Sequence, residues 1–239
     1  MKGLREIFET LGTRIGRLAP VAGIATLVVL VQAGAIGQQK TIPNSTPRPI
    51  AERAANFERA ERDEWQKPNE VIRVLGARNG MVVADIGAGS GYFSRRFAKA
   101  VAPGGKVYAV DIDKEILEIL KERAHQEKIT NLQIVASKED DPMLPENSVD
   151  LAFFVDSSHH IANRAAFYRT VGRALKKDGR LAILDYPPEA HDKGFCRHLP
   201  EELVPEWQTV QEANEAGFKL ANVYTFIERQ YFLVFAKRQ

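Results

Sequence analysis

The segment Asp85-Ile86-Gly87-Ala88-Gly89-Ser90-Gly91 sets an acid in front of three alternating glycines. Glycine adopts backbone angles closed to other residues and carries no Cβ, so a ligand can lie against the chain there. An ionised carboxylate is an acceptor only, which suits a ligand rich in amino or hydroxyl donors. A second acid, Asp111, follows the glycines by about twenty residues, the spacing at which a carboxylate reaches the hydroxyls of a ribose. A third group, Asp156-Ser157-Ser158-His159-His160, adds two imidazoles. Imidazoles titrate near neutrality and can take a proton from a reacting oxygen or nitrogen.

These residues need rigid elements to hold them. Val82–Ile86 is a short apolar run with the pattern of a buried parallel strand. Residues 91–102 read as a helix with Phe93, Phe97 and Val101 on one face. The glycine turn between them therefore sits at the carboxyl edge of a sheet, where open α/β sheets bind ligands. Residues 106–113 repeat the pattern, a strand ending in acids. Asp111 suits a ribose and Asp113 suits the N-cap of a helix over Lys114–Gln126. Further strands are expected over Leu132–Ala136, Val149–Val155, 181–184, 223–227 and 231–236. Helices are expected over 50–65, 69–75, 163–175 and 201–216, with a turn at Lys177-Asp178-Gly179-Arg180. Strands alternating with helices make a parallel sheet, and a terminal hairpin adds one antiparallel strand.

The spacing selects among nucleotide ligands. A dinucleotide fingerprint is G-x-G-x-x-G, and Tyr92 stands where its last glycine belongs, which argues against a nicotinamide oxidoreductase. The D-x-G-x-G-x-G form at Asp85–Gly91 resembles motif I of the class I S-adenosylmethionine-dependent methyltransferases. Leu144-Pro145-Glu146-Asn147-Ser148-Val149-Asp150-Leu151, Leu175–Leu181 and Ala216-Gly217-Phe218 are similar to that family's approaches to strands four, five and six. The resemblance spans residues 51–238. It implies a Rossmann-like α/β fold, a seven-stranded, mostly parallel sheet with helices on both faces and an antiparallel last strand. It also implies S-adenosyl-L-methionine as cofactor and a methyl acceptor, taken to be a small molecule. A cofactor-binding protein of the same fold without turnover is the alternative.

The resemblance further implies cofactor contacts from Asp85, Gly87, Ala88, Gly89, Gly91, Tyr92, Asp111 and Ile112. Asp156 lies after strand four, where the family lines the transfer site, and His160, with His159 as its alternative, is the candidate base. For adenine the acids at 139–141 follow strand three, and Asp140 is the choice among them, against a solvated acidic turn. Trp65 and Tyr186 join Tyr92 as aromatic candidates for the pocket wall, each as readily core, and the helix carrying Trp65 is a candidate lid. A narrower match runs through Arg62-Asp63-Glu64-Trp65-Gln66-Lys67-Pro68, Asp140-Asp141-Pro142, Asp156–His160 and Gln230-Tyr231-Phe232-Leu233. It is similar to a bacterial subgroup whose members often carry an export signal.

Composition sets the outer bounds. The chain has 239 residues, 44% apolar and 27% charged, enough for one α/β domain. A net charge of +2 implies no nucleic-acid partner. The single cysteine, Cys196, excludes an internal disulfide, and its grouping with His191 and His198 lacks a metal-ligand spacing, so no metal is expected. The oligomeric state is not legible. Lys2, Arg5, Arg14 and Arg17 precede a largely apolar run over 21–37 that ends in small residues, the pattern of a signal peptide or membrane anchor. Residues 1–37 are therefore expected to direct the chain to export (the periplasm) or to the inner membrane. Residues 38–49 form a linker, and residues 50–239 the catalytic domain.

Overall fold

The computed structural model describes residues 49–238, so the expectations for residues 1–37 and nearly all of the linker lie outside the described residues. Three short helices open the fold: α1 (Ile50–Phe57), α2 (Glu61–Gln66) and α3 (Pro68–Val74). Then follow β1 (Val82–Ile86), α4 (Tyr92–Val101), β2 (Lys106–Asp111), α5 (Lys114–Gln126), β3 (Leu132–Ala136) and β4 (Val149–Val155). After a 3-10 turn at Ser158–His160 come α6 (Arg164–Ala174), β5 (Leu175–Asp185), α7 (Glu189–Asp192), α8 (Glu206–Glu215), β6 (Phe218–Tyr224) and β7 (Tyr231–Lys237).

The strands form one sheet in the order β3-β2-β1-β4-β5-β7-β6. The pairs from β3 to β5 are parallel, and β7 runs antiparallel to both β5 and β6. The expected architecture is the observed one. Both faces are covered, so the inner strands carry near-continuous apolar runs rather than alternating ones. Val83, Leu151, Phe153 and Val234 pack with α3 and α4 on one face, while Ala84, Phe154, Ile183 and Phe235 pack with α6 on the other. Phe93 and Phe97 of α4 meet Phe153 edge-on, with ring centroids 4.9 and 5.3 Å away. Aromatic pairs in this geometry add ~0.5–1.5 kcal/mol beyond the area they bury. They pin α4 to the centre of the sheet and hold the glycine turn at its edge.

Where the elements depart from expectation, local chemistry gives the reason. The helix expected over 50–65 is two helices, because Glu58 leaves the helical path and its carboxylate takes donors from Ser90, Arg95 and Arg123 at 2.6–2.9 Å. The helix expected from 201 is a 3-10 turn at Pro200–Glu202 followed by α8. Pro205 lacks an N–H and stands just before the first turn of α8. Lys177–Arg180 is no free turn; it lies within β5, beside a register shift between Val149 and Leu151 of β4. β6 begins directly after Gly217, which holds φ +91, well before the expected 223. Lys219 and Asn222 disguise it as a loop, yet it is an edge strand with one face in water.

The caps are as expected. Asp113 accepts from the amides of Glu115 and Ile116 at 3.0 and 3.3 Å and opens α5. Gly91 opens α4 at φ +87, and a Cβ there would stand 2.0 Å from Cδ1 of Leu120, a fully buried residue. Gly91→Ala should therefore lower unfolding stability by ~1–3 kcal/mol, the cost of overpacking plus a disfavoured φ. Urea denaturation of the two proteins compares them directly, and equal midpoints would contradict this packing.

Candidate functional site

Acids end four neighbouring strands at one edge of the sheet: Asp85 on β1, Asp111 on β2, Asp185 on β5, and Asp156 directly after β4. Above this edge is a cleft of about 1150 Å³. Of the residues assigned to the cofactor from sequence, Asp85, Gly87, Ala88, Gly89, Tyr92, Asp111, Ile112 and Asp156 line it, as does His160. Gly91 does not; its missing Cβ makes room for Leu120 rather than for a ligand. Asp140 is exposed and outside the wall, because the Lys138 amide donates to the Asp141 carbonyl and turns that loop away. Ser137, Lys138 and Glu139 line the cleft in its place.

The glycine turn is built from opposing demands. Gly87 and Gly89 hold φ +74 and +52. A Cβ on Gly87 would collide with Ser157 Cβ at 2.3 Å, so this glycine lets the loop after β4 close against β1. Ser157 in turn donates to the Ile86 carbonyl at 2.9 Å. Gly89 faces only the ring of Phe57, with a virtual Cβ at 3.2 Å, and its amide donates to Asp111 at 2.8 Å. Asp111 also accepts from the Asp113 amide at 3.0 Å, which fixes its carboxylate at the end of β2. Ile112 beside it is 54% exposed and offers an apolar surface to the cleft.

Asp85 is 1% exposed. One carboxylate oxygen accepts from Ser94 at 2.5 Å, and the other has no partner among the described residues. Burial raises its pKa to about 6, against the pull of Ser94 and the positive charge of Arg62. Asp156 is held at φ +51, a left-handed conformation that aspartate tolerates better than most residues. Burial raises it to about 7, with Arg62 opposing and Asp185 adding to the rise. Desolvated acids of this kind gather at functional sites.

The opening helices cover the cleft. Arg53, Asn56 and Phe57 of α1 and Arg62 of α2 line it, and Arg53 pairs with Asp113 at 2.7 Å. Arg62 reaches Gln66 at 2.6 Å and Asp156 at 3.7 Å, and lies 4.1 Å over the ring of Tyr92. Gln66 donates to Gln230 at 2.7 Å, and Gln230 donates to Asp156. Three segments singled out in sequence, 62–68, 156–160 and 230–233, thus meet in one buried polar chain. Tyr92 is held by Asp63 and by Arg96 on its ring, with its phenol pushed upward by burial. Trp65 is outside the cleft; it packs on Tyr186, which does line it, at 6.1 Å between ring centroids. Arg62, from the helix that carries Trp65, is thus part of the cleft wall while Trp65 packs behind it.

At the far end, His159 is buried, and its Nδ1 lies 2.7 Å from Oδ1 of Asp185. Ser158 and the His159 amide donate to the other oxygen of Asp185 at 2.7 and 3.2 Å. His160 faces the cleft, and partial burial of its ring with the neighbouring His159 and His198 moves its pKa down to about 4. Sequence reading quoted Arg62 and Ser157 without a role and missed Asp185 and the approach of His198. Asp185 did carry a signal, since it ends an apolar strand with an acid as Asp85 and Asp111 do.

Asp85 carries a sign that can be checked. Its folded-state pKa lies above the ordinary 3.8, so the fold favours the protonated form. Stability from this group is full below pH ~4 and is lost as pH rises through about 6. Asp85→Asn, which keeps an acceptor for Ser94, should be more stable than wild type at pH 8, by up to ~3 kcal/mol. That advantage should shrink as pH falls through 6 toward 4. Guanidinium melts at pH 8 and pH 5 measure it, and an advantage unchanged between them would refute the buried-acid assignment.

With the geometry in hand, comparison with known proteins is direct. Residues 77–231 match a family described as a methyltransferase domain. An uncharacterized methyltransferase of Bacillus subtilis, YcgJ, is 27% identical over 160 residues, 62% of each chain. A ubiquinone/menaquinone biosynthesis C-methyltransferase, UbiE, of a Shewanella species is 26% identical over 129 residues, 54% of this chain and 51% of that one. The chain therefore spans about half to three fifths of the length of these curated relatives. The crystal structure of a SAM-dependent methyltransferase from Aquifex aeolicus superposes with a TM-score of 0.73 at 26% identity, covering 78% of this chain and 97% of that one. The motif at the sheet edge, the strand order and these matches agree, and the chain belongs to the methyltransferase domain family, with the fold of the class I S-adenosylmethionine-dependent enzymes.

Proposed function

We propose that the protein transfers a methyl group from S-adenosylmethionine to a small-molecule acceptor within the cleft over the glycine turn. The observation that carries this reading is the buried carboxylate oxygen of Asp85, without a partner among the described residues, in a cleft wall that Gly87, Gly89 and Asp111 share. A buried acceptor without a donor is costly unless a ligand supplies one. The bound cofactor supplies an electrophilic methyl group on a positively charged sulfur.

The residues have separable tasks. Asp85 accepts from the amino-acid end of the cofactor, and the Gly87 and Gly89 backbone allows close approach. Asp111, already oriented by two amides, accepts from the ribose hydroxyls. Ile112 offers its exposed side chain to the adenine, with Glu139, rather than Asp140, as the nearby acid of the cleft wall. Arg62, Gln66 and Gln230 hold Asp156 at the transfer end. Methyl transfer is an in-line displacement, so most of the catalysis is positioning and exclusion of water. The histidines at the far end, with His160 as the member facing the cleft, receive the acceptor's proton. The cleft volume exceeds what one small ligand needs, which supports a cofactor and a small acceptor bound together.

Titration calorimetry with S-adenosylmethionine, S-adenosylhomocysteine and NADH, followed by an acceptor screen, tests the reading. The first two should bind and NADH should not. Asp111→Ala should weaken binding by ~1.5–3 kcal/mol, the range for a lost hydrogen bond to a charged group. Gly89→Val should abolish binding in a folded protein, since a branched Cβ would fill the approach to the turn. Binding with no turnover on any acceptor would favour a non-catalytic cofactor-binding protein.

We further propose that residues 1–37 direct the chain to export or hold it at the inner membrane. The basic segment before an apolar run that ends in small residues supports this. Among the described residues no helix is long and apolar enough to cross a membrane. Full-length protein expressed in a bacterial host should fractionate with periplasm or membrane. Mass spectrometry should find a new start near Gln38 for a cleaved signal and an intact Met1 for an anchor. Recovery as full-length cytosolic protein would overturn the proposal.

A further inference from the structure

Three imidazoles that stand apart in sequence converge at the acceptor end of the cleft. His159 and His160 come from the 3-10 turn after β4, and His198 from the segment after α7. Their ring centroids lie 4.1, 4.6 and 5.4 Å apart. One nitrogen from each lies within 4.8 Å of the other two. Some point therefore lies within about 2.8 Å of all three, and shifts of under about 1 Å bring it to the ~2.0–2.1 Å of a histidine–zinc bond. His159 supplies the independent sign. Its side chain is buried, Asp185 engages Nδ1, and Nε2 has no partner among the described residues. A carboxylate that fixes one imidazole nitrogen and leaves the other bare is the arrangement that orients metal-binding histidines.

We propose that His159, His160 and His198 form a binding site for a divalent first-row transition ion, with Asp185 as the carboxylate that positions His159. Imidazole donors suit zinc, copper, iron and nickel, whereas calcium and magnesium demand oxygen ligands. Three protein ligands leave a further coordination position open, as in catalytic rather than structural zinc sites. His160 and His198 also line the methyl-transfer cleft, and all three border a smaller cleft of about 450 Å³ with Arg164, Glu202 and Gln208. With the ion bound, the imidazoles coordinate it instead of taking the acceptor's proton: an acceptor hydroxyl reaching the open position would ionise there and release its proton to solvent, and its oxygen would then bond the methyl carbon as the carbon–sulfur bond breaks, leaving S-adenosylhomocysteine. That use rests on the methyltransferase reading; the ion site itself does not.

The test uses the full-length chain, stripped with a chelator, dialysed, and titrated with Zn²⁺ against a chromophoric competitor. A parallel titration with Co²⁺ is read by its visible absorption. One ion per chain should bind with submicromolar affinity, and Co²⁺ should give the intense bands of a four- or five-coordinate site. His160→Ala and His198→Ala, both at positions open to solvent, should each weaken Zn²⁺ binding at least ~100-fold. Asp185→Asn should weaken it by ~10–100-fold, the range for an orienting carboxylate. Circular dichroism of each variant confirms its fold. Wild-type protein that takes up no stoichiometric ion would overturn the proposal. So would a His160→Ala/His198→Ala double variant that keeps wild-type affinity. Calorimetry with S-adenosylmethionine on the same samples separates the two readings, since ion binding without cofactor binding supports the site and removes only its use in methyl transfer.

Discussion

Gly87 and Ser157 cannot be considered apart. The loop after β4 approaches β1 so closely that any Cβ at position 87 would overlap Ser157, and the serine hydroxyl then bonds the carbonyl of Ile86. This contact joins the two central strands at the edge where the chemistry is placed. It sets Asp85 and Asp156 on the same wall, one raised to a pKa of about 6 and the other to about 7 by the same lack of water. Gly91 serves a parallel purpose on the other side, admitting Leu120 so that α5 can pack behind the turn. The turn is therefore a structural junction first, and only at Gly89 is its surface free of sheet and loop contacts.

The strand and helix pattern was legible in sequence wherever burial is complete. β1 and β4 and the helix α5 have the limits that apolar runs and caps suggest, because both faces of these inner strands are dry and Asp113 marks a helix start; β3, at the sheet edge and part-exposed, was legible from its short apolar run alone. Legibility fell off at the margins. β6, expected from 223, begins at Phe218, because an edge strand tolerates Lys219 and Asn222 and its first residues read as a loop, and β5 hides its first half behind a register shift. The separation of α1 from α2 depends on Glu58 finding two arginines and a serine brought from α4 and α5. No local pattern records such partners.

The site divides along the same line. Asp85, Gly87, Gly89 and Asp111 were legible as parts of the cleft wall because one strand–turn–helix–strand unit sets them at fixed spacing. Asp140, the acid expected at the adenine, stands outside the cleft wall and Glu139 lines it, in a loop that the hydrogen bond from the Lys138 amide to the Asp141 carbonyl closes. The histidine cluster was invisible as a cluster, because His198 reaches it only once the segment after β5 folds back over β4. Metal-ligand spacings in sequence reveal sites built on one element, and this one draws on two.

Glu58 has a consequence for the roof of the cleft rather than its floor. It ties the end of α1 to α4, α5 and the glycine turn through Arg95, Arg123 and Ser90, while the adjacent Phe57 lies over Gly89. The side chains of these ion pairs are only 12–26% exposed, so mobile ions screen them far less than they screen pairs in open water. The ring over the glycine backbone is thus anchored by charges that salt leaves largely in place.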